Sequence, residues 1–203
     1  MGQARASTRT RVHAATLALA AEAGFGALTM EGIAARAGAG KQTLYRSWPS
    51  PAAILCDALL VRSLGPDGRV AVPDTGDLRA DLVSLVAGAV DELTDPATDG
   101  LFRAVTASLQ TDPGVGVEVL DRLLGPQLQA VAERLSGAGI PDATDGAELL
   151  LGPVFHRWLL RTRPFEPAWP ASHVARVLRA LGVPSTRGPA SPVRTQARSG
   201  SNR

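Results

Sequence analysis

The chain has 203 residues, of which 45% are hydrophobic and 20% charged, an ordinary balance for one large or two small globular domains with a sizeable core. No apolar run approaches the roughly 20 residues that cross a bilayer, and Arg5, Arg9, Arg11 and His13 interrupt any secretory leader, so a cytoplasmic protein is expected. The single cysteine, Cys56, excludes an internal disulfide or a multi-cysteine metal site, and its apolar run AILCDALL points to plain core packing. The net charge of +2 divides unevenly. Residues 1–50 carry six basic and two acidic side chains, residues 51–182 eleven and seventeen, and residues 183–203 four arginines with no acid. This is the pattern of a basic head for a polyanion on a mildly acidic body, although a solvated charge bias without any partner fits it as well.

In chain order, Ser7 to Ala23 contains no Gly or Pro and reads as a helix stopped at Gly24. After the turn GFGALT, Thr29 is placed to cap MEGIAARA, whose Met30, Ile33, Ala34 and Ala37 share one side. Gly38 ends that helix. Lys41 to Trp48 forms a third, with Leu44 and Trp48 inward and Lys41, Gln42, Thr43, Tyr45 and Arg46 mainly outward. Two short helices about a glycine turn make a helix-turn-helix pattern. A fourth helix starts at Pro51 behind Ser50 and runs to about Leu64. The turn-rich GPDGRVAVPDTGD separates these four from helical spans near Leu78–Leu93, Leu101–Leu109, Val115–Leu135, Ala147–Leu160 and Ser172–Leu181. No alternating strand pattern and no internal repeat is present, so the fold class is all-α; the Pro-, Ser- and Arg-rich residues 183–203 read as a disordered basic tail.

The segment from about residue 9 to 60 resembles the DNA-binding head of the TetR (tetracycline repressor-like) family of bacterial transcriptional regulators. The residues that carry the resemblance are AEAGFGALTM, EGIAARAG and AGKQTLYRSW followed by Pro49 and Ser50. GPVFHRWLLRTRPF is similar to a segment in the bodies of some members. Three departures stand out. Gly40 replaces a frequent Ser and caps less well. Trp48 takes the place of the usual Phe. Pro51 stands where a lysine often contacts a phosphate; proline cannot donate, so lower affinity, or compensation by Arg5, Arg9 and Arg11, is expected.

The resemblance implies a head over residues 1–50 and a ligand-binding and dimerisation body over 51–182. In the head, Lys41 has the chemistry to donate to guanine O6 and N7, and Gln42 to pair with adenine N6 and N7. Thr43 suits a base methyl or a phosphate. By resemblance Tyr45 reaches the backbone through its hydroxyl and Thr29 adds a phosphate contact to its capping. Arg46, with Arg5 and Arg9, is a candidate phosphate clamp, or a solvated arginine. An ordinary amphipathic helix with a polar face is the bland alternative for the whole group.

In the body, Phe102, Leu109, Leu120, Leu124, Phe155 and Trp158 are candidate lining for a largely apolar small-molecule effector, each equally explained as core. A two-fold partner is expected through Leu151, Val154, Val174, Val177, Leu178 and Leu181, unless those stripes only complete the monomer's core. His13 reads as a packing residue. His156 and His173 have no metal-ligand spacing, Glu118 and Asp121 read as a solvated helix face, and no catalytic constellation is visible, so neither cofactor, metal nor enzyme activity is expected. The expected function is a homodimeric DNA-binding regulator on a palindromic operator, released by a small ligand and more in keeping with a repressor than an activator. The alternatives are a helical ligand carrier or enzyme that kept the head as structure, and a helical scaffold for protein partners.

Overall fold

The computed structural model describes residues 2–96 and 98–183; the side chains of residues 2–5, Arg5 among them, and residues 184–203, which hold nearly all of the expected basic tail, lie outside the described residues. Every named element among the described residues is helical: α1 (Gly2–Ala23), α2 (Met30–Ala37), α3 (Lys41–Ser47), α4 (Pro51–Val61), α5 (Leu78–Thr94), α6 (Asp99–Ser108), α7 (Pro113–Val119), α8 (Gly125–Gly137), α9 (Ala143–Leu160) and α10 (Trp169–Ala180). None of these helices is long and apolar enough to cross a membrane.

The local chemistry accounts for the boundaries. Thr29 Oγ1 accepts the Gly32 N–H at 3.0 Å and so caps α2. Gly38 closes α2 at φ 60°, a left-handed conformation that glycine adopts without a Cβ penalty, and the Ala39 N–H reaches back to the Ala34 carbonyl at 3.0 Å. Gly40 precedes α3 with no side-chain cap. Ser50 Oγ accepts the Ala53 N–H at 3.1 Å while Pro51 occupies the first turn of α4. α4 stops at Val61 rather than Leu64, because the chain turns back to form an isolated bridge between Leu64 and Val70. α1 begins five residues before the expected Ser7, since GQARA contains good helix formers and no breaker after Gly2. α10 likewise begins before Ser172, with Pro170 tolerated in its first turn.

The expected single span from Val115 to Leu135 is divided. Pro126 has no N–H to give the Arg122 carbonyl, and its ring would strike that oxygen in a regular helix. The backbone widens into a π turn over Leu120–Leu124, and the Gly125 N–H bonds to the Leu120 carbonyl five residues back. A Cβ on Gly125 would lie 2.7 Å from that oxygen, so the turn requires glycine there.

Three apolar clusters fill the molecule. Val12, Ile33, Leu44, Trp48 and Ile54 hold α1 to α4 together as the head. Leu82, Val86, Leu135, Leu150, Val154 and Leu178 represent the core of the body. Between them, Leu28, Leu55, Cys56 and Leu59 pack on Val105, Val115, Val119 and Leu123, so α4 belongs to both units. Cys56 is a core residue as expected, and burial pushes its thiol up to about 12.

The expected dimer residues need correction. Leu151, Val154, Val174, Val177 and Leu178 are buried in the chain's own body core, and Leu181 is half-buried against it. Both helices pack this stripe on α5 and on each other. The apolar residues that α9 exposes are Leu149, Phe155, Leu159 and Leu160, on the opposite side.

Candidate nucleic-acid interface and effector cavity

α3 is seven residues long and is held by two of them. Leu44 is fully buried and Trp48, just past the helix end, nearly so; this turns Lys41, Gln42, Tyr45 and Arg46 to solvent and leaves Thr43 half-buried. Tyr45, the chain's single tyrosine, is 55% exposed, with its ring and hydroxyl open to solvent. The Thr29 hydroxyl spends its oxygen on the α2 cap and keeps its proton to donate outward.

The basic residues around α3 are not equivalent. Lys41 Nζ stands 2.8 Å from the Glu31 carboxylate, and that hydrogen bond holds Glu31 below the usual carboxylate range. Arg36 is clamped by both oxygens of Glu22, at 2.6 and 2.7 Å, with the same effect on Glu22. Arg11 Nε donates to the Ala37 carbonyl at 3.2 Å. Arg9, expected on a phosphate, donates to Asp57 Oδ2 at 3.0 Å and keeps its side chain 55% exposed. Arg46 has no partner among the described residues and is the cation left open on α3.

Sequence reasoning passed over Asp57. Its signal was an acid inside the apolar run AILCDALL, where a carboxylate needs partners. It has three: Arg9 from α1, the Trp48 indole N–H at 2.6 Å, and Arg122 of the π turn at 3.6 Å. Arg122 also donates to Glu118. Beside this group His13 stands edge-on to Trp48 at 5.7 Å with its Nε2 buried and unpartnered. Burial first, then Arg9, lowers its pKa against an opposing pull from Asp57.

In the body, α4, α5, α6, α8 and α9 line a partly open cavity of about 560 Å³. Phe102, Leu109, Leu124, Phe155 and Trp158 all line it. Leu120 does not: it is 56% exposed, because the π turn directs Leu123 and Leu124 to the cavity instead. The wall is mainly aliphatic and aromatic, with Arg62, Ser63, Ser84, Glu92, Thr106 and Gln127 as its polar points. Gln127 Nε2 donates to Ser63 Oγ at 3.3 Å and Thr106 to the Phe102 carbonyl at 2.8 Å, which leaves Arg62 and Glu92 as the charges without an ion-pair partner among the described residues. Trp158 is fixed in the wall by its N–H to Asp99 at 2.7 Å and by the Arg103 guanidinium 4.6 Å above its ring.

A short helix seated by two apolar residues and presenting a polar face beside a glycine turn, on a helical body with an apolar cavity, is the arrangement of a helix-turn-helix DNA-binding regulator. Residues 13–56 match the model for bacterial regulatory proteins of the tetR family, and residues 72–177 match the tetracyclin repressor-like C-terminal domain. The HTH-type transcriptional regulator YdeS of Bacillus subtilis (strain 168) is 30% identical over 161 residues, covering 75% of this chain and 79% of that protein. Mb1581 of Mycobacterium bovis, also an HTH-type transcriptional regulator, is 33% identical over 167 residues, covering 76% and 78%. The crystal structure of the TetR family transcription regulator SCO0332 superimposes with a TM-score of 0.71 at 26% identity, over 88% of this chain and 98% of that one. The chain belongs to the tetR family of bacterial transcriptional regulators. It is a DNA-binding regulator and not an enzyme.

Proposed function

We propose that this regulator acts in the cytoplasm as a homodimeric repressor that leaves a palindromic operator when a largely apolar small molecule enters the body. The observation that carries the reading is the two-sided α3, with Leu44 and Trp48 sealed in the head and Lys41, Gln42, Tyr45 and Arg46 open to a groove. Residues 1–50 serve as the head and 51–182 as the body. Lys41 and Gln42 read base edges; Thr29, Thr43, Tyr45, Arg46 and the α1 arginines Arg5 and Arg9 set the register on the phosphates. Pro51 offers no backbone donor at the start of α4, so the α1 arginines carry more of that load.

A single head reads one half-site, and a two-fold pair is what a palindrome requires. Leu149 and Leu160, exposed on α9 away from the cavity wall, support a partner there. The balance of the cavity wall, aliphatic and aromatic with few polar points, favours an effector of the same character. Its release of DNA requires different affinities for the DNA-bound and free conformations.

A gel shift with the DNA flanking the protein's own gene tests the reading. The expected result is a sequence-specific complex that weakens steeply with salt. No complex with those fragments, or equal binding to any duplex, contradicts it.

A further inference from the structure

We propose that Asp57 is the positioning residue that couples the π turn at the cavity wall to the seat of the recognition helix α3. The inference rests on the reading of α3 as the DNA-contacting helix. One carboxylate, 14% exposed, joins three parts of the chain that share no other polar contact at this point. Oδ2 accepts from Trp48, whose ring closes the end of α3, and from Arg9 of α1; Oδ1 faces Arg122. Arg122 sits inside the π turn and is followed by Leu123 and Leu124, both of which line the cavity. A change in the turn therefore acts on the cavity wall and on the Asp57 carboxylate together.

The turn is a specific arrangement that a single substitution can disturb. Pro126 forbids the regular helical bond to Arg122, and the wide turn that replaces it depends on the close approach of Gly125 to the Leu120 carbonyl. Inserted π turns are frequent at functional sites because their register shifts by one residue and re-aims the side chains on either side. Here the re-aimed side chains are Arg122 on one face and Leu123 and Leu124 on the other. Withdrawal of Arg122 leaves Asp57 with Arg9 and the indole, and the Trp48 ring is free to shift with the end of α3. Asp57 is neither on α3 nor in the cavity, so its role is to carry a difference between two sites.

The test uses the full chain and a genomic DNA fragment that the wild-type protein itself selects, with dissociation constants read by fluorescence anisotropy. Gly125→Ala and Arg122→Gln are each made in the wild type and in an Asp57→Asn background. Each single substitution is expected to weaken DNA binding about five-fold or more, the lower end of measured coupling between sites. In the Asp57→Asn background the same substitutions are expected to change binding less than about two-fold, the scatter of independent sites. Equal fold-changes in the two backgrounds overturn the proposal. So does a lowered urea midpoint with unchanged DNA binding, which is what a merely structural Arg122 produces. Should Gly125→Ala fail to fold, Arg122→Gln alone decides. A wild type that selects no DNA removes the underlying functional reading, an outcome distinct from equal fold-changes in a protein that does bind.

Discussion

Lys41 Nζ lies 2.8 Å from the Glu31 carboxylate, across the glycine turn between the two short helices of the head. The pair is solvent-exposed and so contributes little to stability, but it occupies the one lysine on the recognition face. Glu31→Gln frees the ammonium and removes a negative charge near the duplex. Binding to the operator should tighten roughly two- to five-fold at low salt, with the gain shrinking as salt rises. Anisotropy titrations at two ionic strengths check it; weaker binding would mean that Glu31 orients Lys41 rather than restraining it.

Truncation of Lys41 and Tyr45 together tests the face itself. Both side chains are more than half exposed, so their loss opens no cavity in the core. Lys41→Ala with Tyr45→Ala should abolish the gel shift while circular dichroism and the urea midpoint stay at wild-type values. A retained complex would move the interface elsewhere on the head.

Stability should fall on mild acidification. Burial, the largest cause at both positions, holds His13 and His173 below the ordinary histidine value of 6.5 in the folded state. The unfolded chain then binds protons more readily, so the stability due to the neutral rings is complete above that value and is lost as pH falls from 6.5 through the folded pKa values. Asp99 is shifted below its ordinary 3.8, chiefly by the Arg103 hydrogen bond, and its contribution is still complete at these pH values. The urea midpoint should drop between about pH 7.5 and 5.5. His13→Leu should remove part of that drop, since the buried Nε2 has no partner to lose.

Trp158 is a structural member of the cavity wall as well as a lining residue. It is nearly buried, donates to Asp99 and lies under Arg103. Trp158→Ala should cost about 3–5 kcal/mol in urea unfolding, the range for large aromatic truncations in a core. A midpoint equal to wild type would contradict its burial.

The two sides of α9 should respond differently to charge. Leu149→Asp with Leu160→Asp alters the exposed leucines that lie away from the cavity wall and is expected to yield a folded monomer in sedimentation velocity, with helical content retained. Val177→Asp places a carboxylate in the body core, where nothing pairs it, and should unfold the protein. A folded dimer from the α9 double variant would place the partner on another surface.

What the sequence determined was local. Thr29, Gly38, Ser50 and Pro51 set the turns of the head through hydrogen bonds and backbone angles that depend on a few neighbouring residues. The four-residue spacing of Ile33 and Ala37, and of Leu44 and Trp48, chose the buried side of α2 and α3, and hence the outward direction of Gln42 and Tyr45. The all-helical class, and the break between α4 and α5, were legible for the same reason. Only the tertiary structure decided which apolar stripes meet. Leu151, Val154, Val174 and Val177 have a periodicity that serves a dimer seam or a monomer core equally well, and packing against α5 gave them to the core. Leu120 left the cavity because Pro126 widened the preceding turn and rotated the residues before it. Asp57 drew meaning from Arg9, Trp48 and Arg122, distant in sequence, because a buried carboxylate is satisfied by whatever donors the fold delivers to it.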